Sequence, residues 1–219
     1  MVTDPEITKT IERNRKRFET FGVHPRSLGW REGSQEVRFQ AFFKDFISSG
    51  AESLLDIGCG FGDLLVFLRK RGWTGTYIGV DLVPEYIEVA REIGDDNAEL
   101  ICGSFSDIEA SLSVDASFAS GLTNHRREDD NLLFVETLFE SMTSRTNIYV
   151  ALDFLSTTVD RRRKDLFLYD PCDIAYIAMK RGKRFQIDHS YMPFEFMLKF
   201  WCKDKVAEDL PYFSDESAK

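Results

Sequence analysis

The chain reads as a doubly wound α/β domain on a mostly parallel sheet of seven strands, and three observations carry that reading. From Glu52 onward, short apolar runs alternate with amphipathic stretches, the strand, helix, strand rhythm that a parallel sheet with crossover helices requires. The first run empties into a glycine-dense turn, Gly58, Gly60 and Gly62, followed at once by an apolar helix. Near the end the rhythm changes: RFQIDH and FEFMLKFW alternate residue by residue, with Phe194, Phe196, Leu198 and Phe200 on one face, which predicts a terminal antiparallel pair.

Residues 5 to 20 read as a helix, with Ile7, Ile11, Phe18 and Phe21 recurring at helical steps. HPRSLGWREG interrupts it with Pro25, Gly29 and Gly33. Ser34 is then expected to cap a second helix that carries Phe39, Phe42, Phe43, Phe46 and Ile47 on one face and ends at Gly50. SLLDIG is the first strand, and a helix from about Asp63 to Arg71 turns Leu64, Leu65 and Leu68 inward before Gly72. TYIGVD is the second strand. Pro84 suits the first turn of the next helix, where its missing N–H costs nothing, with Tyr86, Ala90 and Ile93 as the buried stripe. AELIC and VDASFAS are the third and fourth strands. A helix from about Asp129 to Ser144 places Leu132, Val135, Phe139 and Met142 at helical steps, NIYVALDFL is the fifth strand, and Pro171 to Lys180 is a further helix. Helices therefore cover both faces of the sheet, and two more form an N-terminal extension. One domain is expected over 1–202, divided into helices at 1–50 and an α/β core at 51–202, with a loosely held tail at 203–219.

Hydrophobic residues make up 43% and charged residues 30% of the 219, the composition of an ordinary folded domain. The formal charge of -9 disfavours a large nucleic-acid surface, because phosphate backbones recruit clustered Lys and Arg, and so favours a small-molecule partner. No apolar run approaches the roughly 20 residues that cross a bilayer, and the start is polar and acidic, so no membrane partner and a cytoplasmic location are expected. Cys59, Cys102, Cys172 and Cys202 lie far apart without paired short spacing; they read as reduced core or near-core thiols, with no metal site.

The chemistry concentrates in LLDIGCGFGDLLVFL. A strand runs into Asp56, then a turn of little side-chain bulk lets a ligand lie against the backbone and a helix N-terminus. The second strand ends in Asp81, where a carboxylate can accept both hydrogen bonds of a ribose diol. Asp56 would repel a dinucleotide pyrophosphate but not the ammonium and sulfonium of S-adenosylmethionine. LLDIGCGFGD, GVD and VDASFASG together resemble the class I S-adenosylmethionine-dependent methyltransferases, a Rossmann-like family, over roughly residues 50 to 155. The resemblance implies that Asp56 and the turn Gly58, Cys59, Gly60 and Gly62 lie near the methionine part of the cofactor, with Ser120 after the fourth strand. It also implies that Asp81 holds the ribose and Leu82 lies against the adenine; Ser104 stands where many members carry an acidic residue that meets the adenine amine, so that contact falls to Ser104 or to the Phe105 backbone.

Methyl transfer to a hydroxyl or ammonium requires a proton acceptor, whereas a carboxylate acceptor needs none. The candidates are His125, which follows the fourth strand through GLTN, and His189 with Tyr191 and Glu195 near the terminal hairpin. His24 reads as a surface residue. Arg38, four residues before Phe42, pairs with the cofactor carboxylate or with Gln35 and a backbone carbonyl if its guanidinium reaches the cofactor edge; snorkelling is the competing reading. Trp30 and Arg31 serve either as a lid or as packing. Arg13, Arg15, Lys16 and Arg17 read as the wet side of their helix, and Arg161, Arg162, Arg163 and Lys164 as a solvated loop or an anionic-acceptor site. The function expected is methyl transfer to O or N of a small molecule; the competing readings are a protein or RNA acceptor, or a cofactor-binding subunit without activity.

Overall fold

The structure, a computed structural model, describes residues 5–160 and 162–202; Arg161 and the expected tail at 203–219 lie outside the described residues. Two helices, α1 (Pro5–Phe21) and α2 (Ser34–Ser48), precede β1 (Ser53–Ile57), α3 (Asp63–Arg69), β2 (Thr76–Asp81), α4 (Pro84–Arg91), β3 (Ala98–Cys102) and β4 (Val114–Ala119). Then come α5 (Asn131–Arg145), β5 (Thr146–Leu155), α6 (Pro171–Met179), β6 (Phe185–Met192) and β7 (Glu195–Trp201). The seven strands lie in the order β3-β2-β1-β4-β5-β7-β6. β1 to β5 pair in parallel, while β7 inserts antiparallel between β5 and β6. The strand order reverses between β1 and β4, and in such sheets the crevice outside the carboxyl ends at that reversal is where ligands bind.

Alternation along each strand sorts the side chains between two cores. On one face Leu55, Ile57, Val150, Leu152 and Leu198 pack with Val135 and Phe139 of α5 and Ile174 of α6. On the other, Leu54, Tyr77, Tyr149 and Met197 pack with Phe42 and Phe46 of α2 and Leu64 and Leu68 of α3. Asp56 shares the face of Leu54, so a carboxylate ends the apolar column at the carboxyl edge. The same face of β5 and β7 carries Asp153, Glu195 and Lys199, all buried under α2. There Arg38 bonds Glu195, and Lys199 meets Asp45 at 2.7 Å and Asp188 at 2.9 Å.

Several expectations are corrected in detail. Ser34 does not cap α2: Gly33 precedes the helix at φ 76°, and the Ser34 hydroxyl donates to Arg31 O instead. Asp130 is the residue that caps α5, by accepting from the N–H groups of Leu132 and Leu133. Ile47 and Phe21 are exposed, because neither core reaches them, and Phe194 is exposed in the turn between β6 and β7. Ile87 joins the buried stripe of α4, while Ile93 lies past the helix end and only half-buried. Cys102 and Cys172 are exposed and not core thiols. Among the described residues no helix is long and apolar enough to cross a membrane.

Candidate active site

A cleft of about 450 Å³ opens at the carboxyl ends of β1, β2 and β4. Its floor is the glycine turn. Gly58 has φ 78°, and a Cβ there would lie 2.6 Å from a Leu122 methyl, so the turn excludes side chains on both conformational and steric grounds. The turn is pinned to β2 by the N–H groups of Gly58 and Cys59, which both donate to Val80 O at 2.7 and 3.1 Å.

Two buried carboxylates flank this floor. Asp56 accepts a 2.5 Å bond from the Tyr77 hydroxyl. Burial pushes its carboxyl up to about 7 against that hydroxyl, with the charges of Asp81 and Asp63 adding to the rise. Asp81 accepts from Gly60 N at 3.0 Å and Val83 N at 2.9 Å, one on each oxygen. Burial lifts its carboxyl to about 6, opposed by the N–H groups of Val83, Gly60 and Leu82. An ionised carboxylate has about four acceptor positions, so with these three N–H groups on it Asp81 keeps acceptor capacity for a ligand hydroxyl.

Leu82, Ser104 and Phe105 line the far end of the cleft. The Ser104 hydroxyl accepts from Ser106 N, while Ser104 N donates to Asp107 at 2.9 Å, a reciprocal cap that fixes the loop after β3. Phe105 meets Phe134 of α5 edge-on. Ser120 lines the opposite end, its hydroxyl donating to Asp153, whose other oxygen accepts from Gly121 N at 2.7 Å.

Arg38 lies behind this wall and not in it. Its guanidinium donates to Ser34 O and Glu195, lies 3.6 Å from Asp153, and stacks over Trp30 with its centroid at 4.1 Å. It neither snorkels nor lines the cleft; its link to Gln35 is also absent, since Gln35 donates to Asp63. Burial raises the carboxyls of Asp153 and Glu195, and the Arg38 charge opposes this in both. Trp30 forms cleft wall, packed where a Cβ on Gly121 would come within 2.5 Å of its ring.

Of the candidates for proton acceptance, the cleft collects one, His125, while Glu195 is taken up by Arg38. His125 lines the cleft; burial, then the charges of Arg13 and Arg17, lower its pKa to about 4, against the pull of Asp165. The expectation for His189 and Tyr191 is corrected. β6 is the outermost strand, separated from β1 by β4, β5 and β7, so His189 lies outside the lining and contacts Ser156 at 2.9 Å and Thr158 at 3.3 Å. Tyr191 also lies outside it, with a buried hydroxyl that has no hydrogen-bond partner among the described residues; burial pushes that hydroxyl far up. Nor do the described members of the basic loop reach the cleft: Arg163 pairs with its neighbour Asp165, and Arg162 and Lys164 are exposed.

The main omission in the sequence reading is α1. It crosses the mouth of the cleft, held to the loop before α5 by Lys9 with Glu128 (2.8 Å) and to α4 by Arg15 with Glu85 (2.8 Å). Phe18 packs on Phe61 and Tyr86, and the Tyr86 hydroxyl donates to Ser27 O at 2.8 Å. Thr10, Arg13, Asn14 and Arg17 face the cleft, so Arg13 and Arg17 are not on the wet side with Arg15 and Lys16. Their steps of three and four are the signal that was available: a second helical stripe, polar instead of apolar.

Residues 54–145 match a sequence family described as a methyltransferase domain. The Mycobacterium tuberculosis protein Rv1506c, named as a candidate methyltransferase, is 31% identical over 154 residues, 67% of this chain and 90% of that one. The fold is similar to magnesium protoporphyrin IX methyltransferase ChlM of Synechocystis PCC 6803, solved with bound SAH (TM-score 0.64, 14% identity, 89% of this chain and 94% of that one). It is also similar to the DhpI–SAH complex (TM-score 0.61, 16% identity, 88% and 95%).

Proposed function

Because the chain belongs to the class I S-adenosylmethionine-dependent methyltransferases, we propose that it moves a methyl group to an oxygen or nitrogen of a small-molecule acceptor held in this cleft. The observation that carries the reading is the convergence of Asp56, the Gly58 to Gly62 turn and Asp81 on one floor. Two buried carboxylates suit a ligand with cationic groups and a diol, and the bare turn suits close backbone approach. When bound, S-adenosylmethionine supplies an electrophilic methyl group on sulfur.

The protein's part is to hold, orient and exclude water. Asp81 accepts from the ribose through its remaining acceptor capacity. Asp56 faces the ammonium end, and a cation beside it favours its ionised form. Leu82, Ser104 and Phe105 enclose the adenine, while Cys59 and Ser120 complete the methionine end. His125, neutral at ordinary pH because its pKa lies near 4, takes the proton of a hydroxyl or ammonium acceptor at a ring nitrogen. Acceptance by protein or RNA has less support, since α1 narrows the mouth.

Thermal shift with S-adenosylmethionine, S-adenosylhomocysteine and NADH in parallel tests the cofactor. Stabilisation by the first two alone is expected; a response to NADH only, or to none, overturns the reading. For His125, an NMR titration of the ring protons is expected to show a midpoint near 4 that rises in Arg13→Gln, and a wild-type midpoint at the ordinary histidine value would show that His125 is neither buried in the cleft nor beside Arg13 and Arg17.

A further inference from the structure

We propose that Arg13 and Arg17 of α1 hold the methyl acceptor by an anionic head group, a carboxylate or a phosphate; this rests on the cofactor reading for the opposite half of the same cleft. The two residues are one turn apart and both line the cleft. Among the described residues Arg13 Nε is sealed from solvent without a hydrogen-bond partner. Among those residues the Arg17 guanidinium has one side-chain bond, to Asn14 at a long 3.5 Å. Among the described residues neither has a carboxylate within ion-pair distance, whereas the other cations around the mouth do: Lys9 with Glu128, Arg15 with Glu85, Arg127 with Asp129. A half-buried guanidinium with a sealed, unpaired N–H is costly, so the pair is arranged for an anion that arrives with a ligand.

The carboxylates on the same rim are already engaged. Asp129 pairs with Arg127, Asp130 caps α5, and Glu6 lies 3.7 Å from Lys9 and accepts from Glu128 N. The cofactor supplies one carboxylate but also an ammonium and a sulfonium, and a bare pair of guanidinia would repel both. An acceptor with its own negative charge removes that repulsion. Planar guanidinium forks match carboxylate and phosphate oxygens in pairs. Beside them, Ile7 of α1 and Leu133 and Phe134 of α5 offer an apolar surface, so the acceptor combines an anion with an apolar body. The anion is the handle and not the methylated atom, because pairing with two guanidinia lowers its nucleophilicity.

Benzoate, phenyl phosphate and neutral benzamide serve as probes, titrated calorimetrically into the protein with and without saturating S-adenosylhomocysteine. The anions are expected to bind about tenfold more tightly than benzamide, and Arg13→Gln or Arg17→Gln to weaken them about tenfold. Arg13→Lys, which keeps the charge without the fork, is expected to fall between, and Lys16→Gln, at an exposed position of the same helix, to leave anion binding unchanged. Equal affinity for benzamide and the anions overturns the proposal. So does weaker S-adenosylhomocysteine binding in the Gln variants that matches the loss of anion binding, since the pair would then serve the cofactor carboxylate. Anion preference in a wild type that fails to bind S-adenosylhomocysteine supports the anion site and overturns the cofactor reading instead. The stronger of benzoate and phenyl phosphate identifies the head group.

Discussion

The two halves of the cleft are built by different means. Asp56, the glycine turn and Asp81 sit at the ends of neighbouring strands, locked by sheet hydrogen bonds and by the N–H groups that Asp81 itself collects. The opposite wall is α1, a helix with no buried residue, held to the body by two exposed ion pairs and by Phe18. Exposed pairs contribute about 0–1 kcal/mol each, so this wall belongs to the least stable part of the structure. The floor is acidic and rigid; the wall is basic and loosely held. Such a division suits a ligand common to a whole family on one side and an acceptor particular to this chain on the other.

The largest effect that bears on this contrast is expected behind the Ser120 end of the strand-built half. Arg38→Met leaves Glu195 and Asp153 buried without their cation, and about 3–5 kcal/mol of stability should be lost in urea unfolding. A loss below about 1 kcal/mol would mean that the buried network is not what makes that half rigid. Next comes the ligand itself: at a hundredfold excess over Kd, S-adenosylhomocysteine should stabilise the wild type by about 2.7 kcal/mol, and Asp81→Ala should remove most of that shift. Full retention would place the ribose elsewhere.

A third measurement separates the halves by pH. Asp56 and Asp81 have folded pKa values near 7 and 6, above their unfolded values, so between about 4 and 7 the folded state holds more protons. Without ligand, their contribution to stability is therefore full at low pH and is lost as pH rises through 6 to 7. His125 acts with the opposite sign: its pKa is depressed to about 4, so stability falls as pH drops from about 6.5 towards 4. Cofactor affinity should accordingly rise with pH up to about 7 and then level off, by at most about tenfold per unit for each proton released. Asp56→Asn should flatten that rise, and an unchanged profile would show that Asp56 is already ionised. The smallest effect is expected on the wall: Arg15→Ala should cost less than about 1 kcal/mol globally while speeding amide exchange in α1. Exchange in α1 that matches the sheet would contradict a loosely held wall.

Much of the architecture was legible because its signals are local. The period of two in FEFMLKFW and the period near 3.6 in the helices follow from which face is buried, and each strand's alternation survives in the packing of Phe196, Leu198 and Phe200 against α5 and α6. Asp56 and the glycines fall together for the same reason, as one contiguous strand, turn and helix. The mistakes fall where a partner lies far off. Arg38 looked like a residue free to reach the cleft, and its fate was decided by Glu195, 157 positions later. His189 looked close to the site until the insertion of β7 moved β6 to the sheet edge.

The sequence by itself determined the strand and helix pattern, the glycine turn and the two carboxylates that point to the cofactor, since neighbours along the chain suffice to define them. Only the tertiary structure decided which face of α1 meets the cleft, which histidine joins it and what neutralises Arg38. Those outcomes depend on elements far apart in sequence excluding water from the same charge, and periodicity within one segment carries no information about what will cover it.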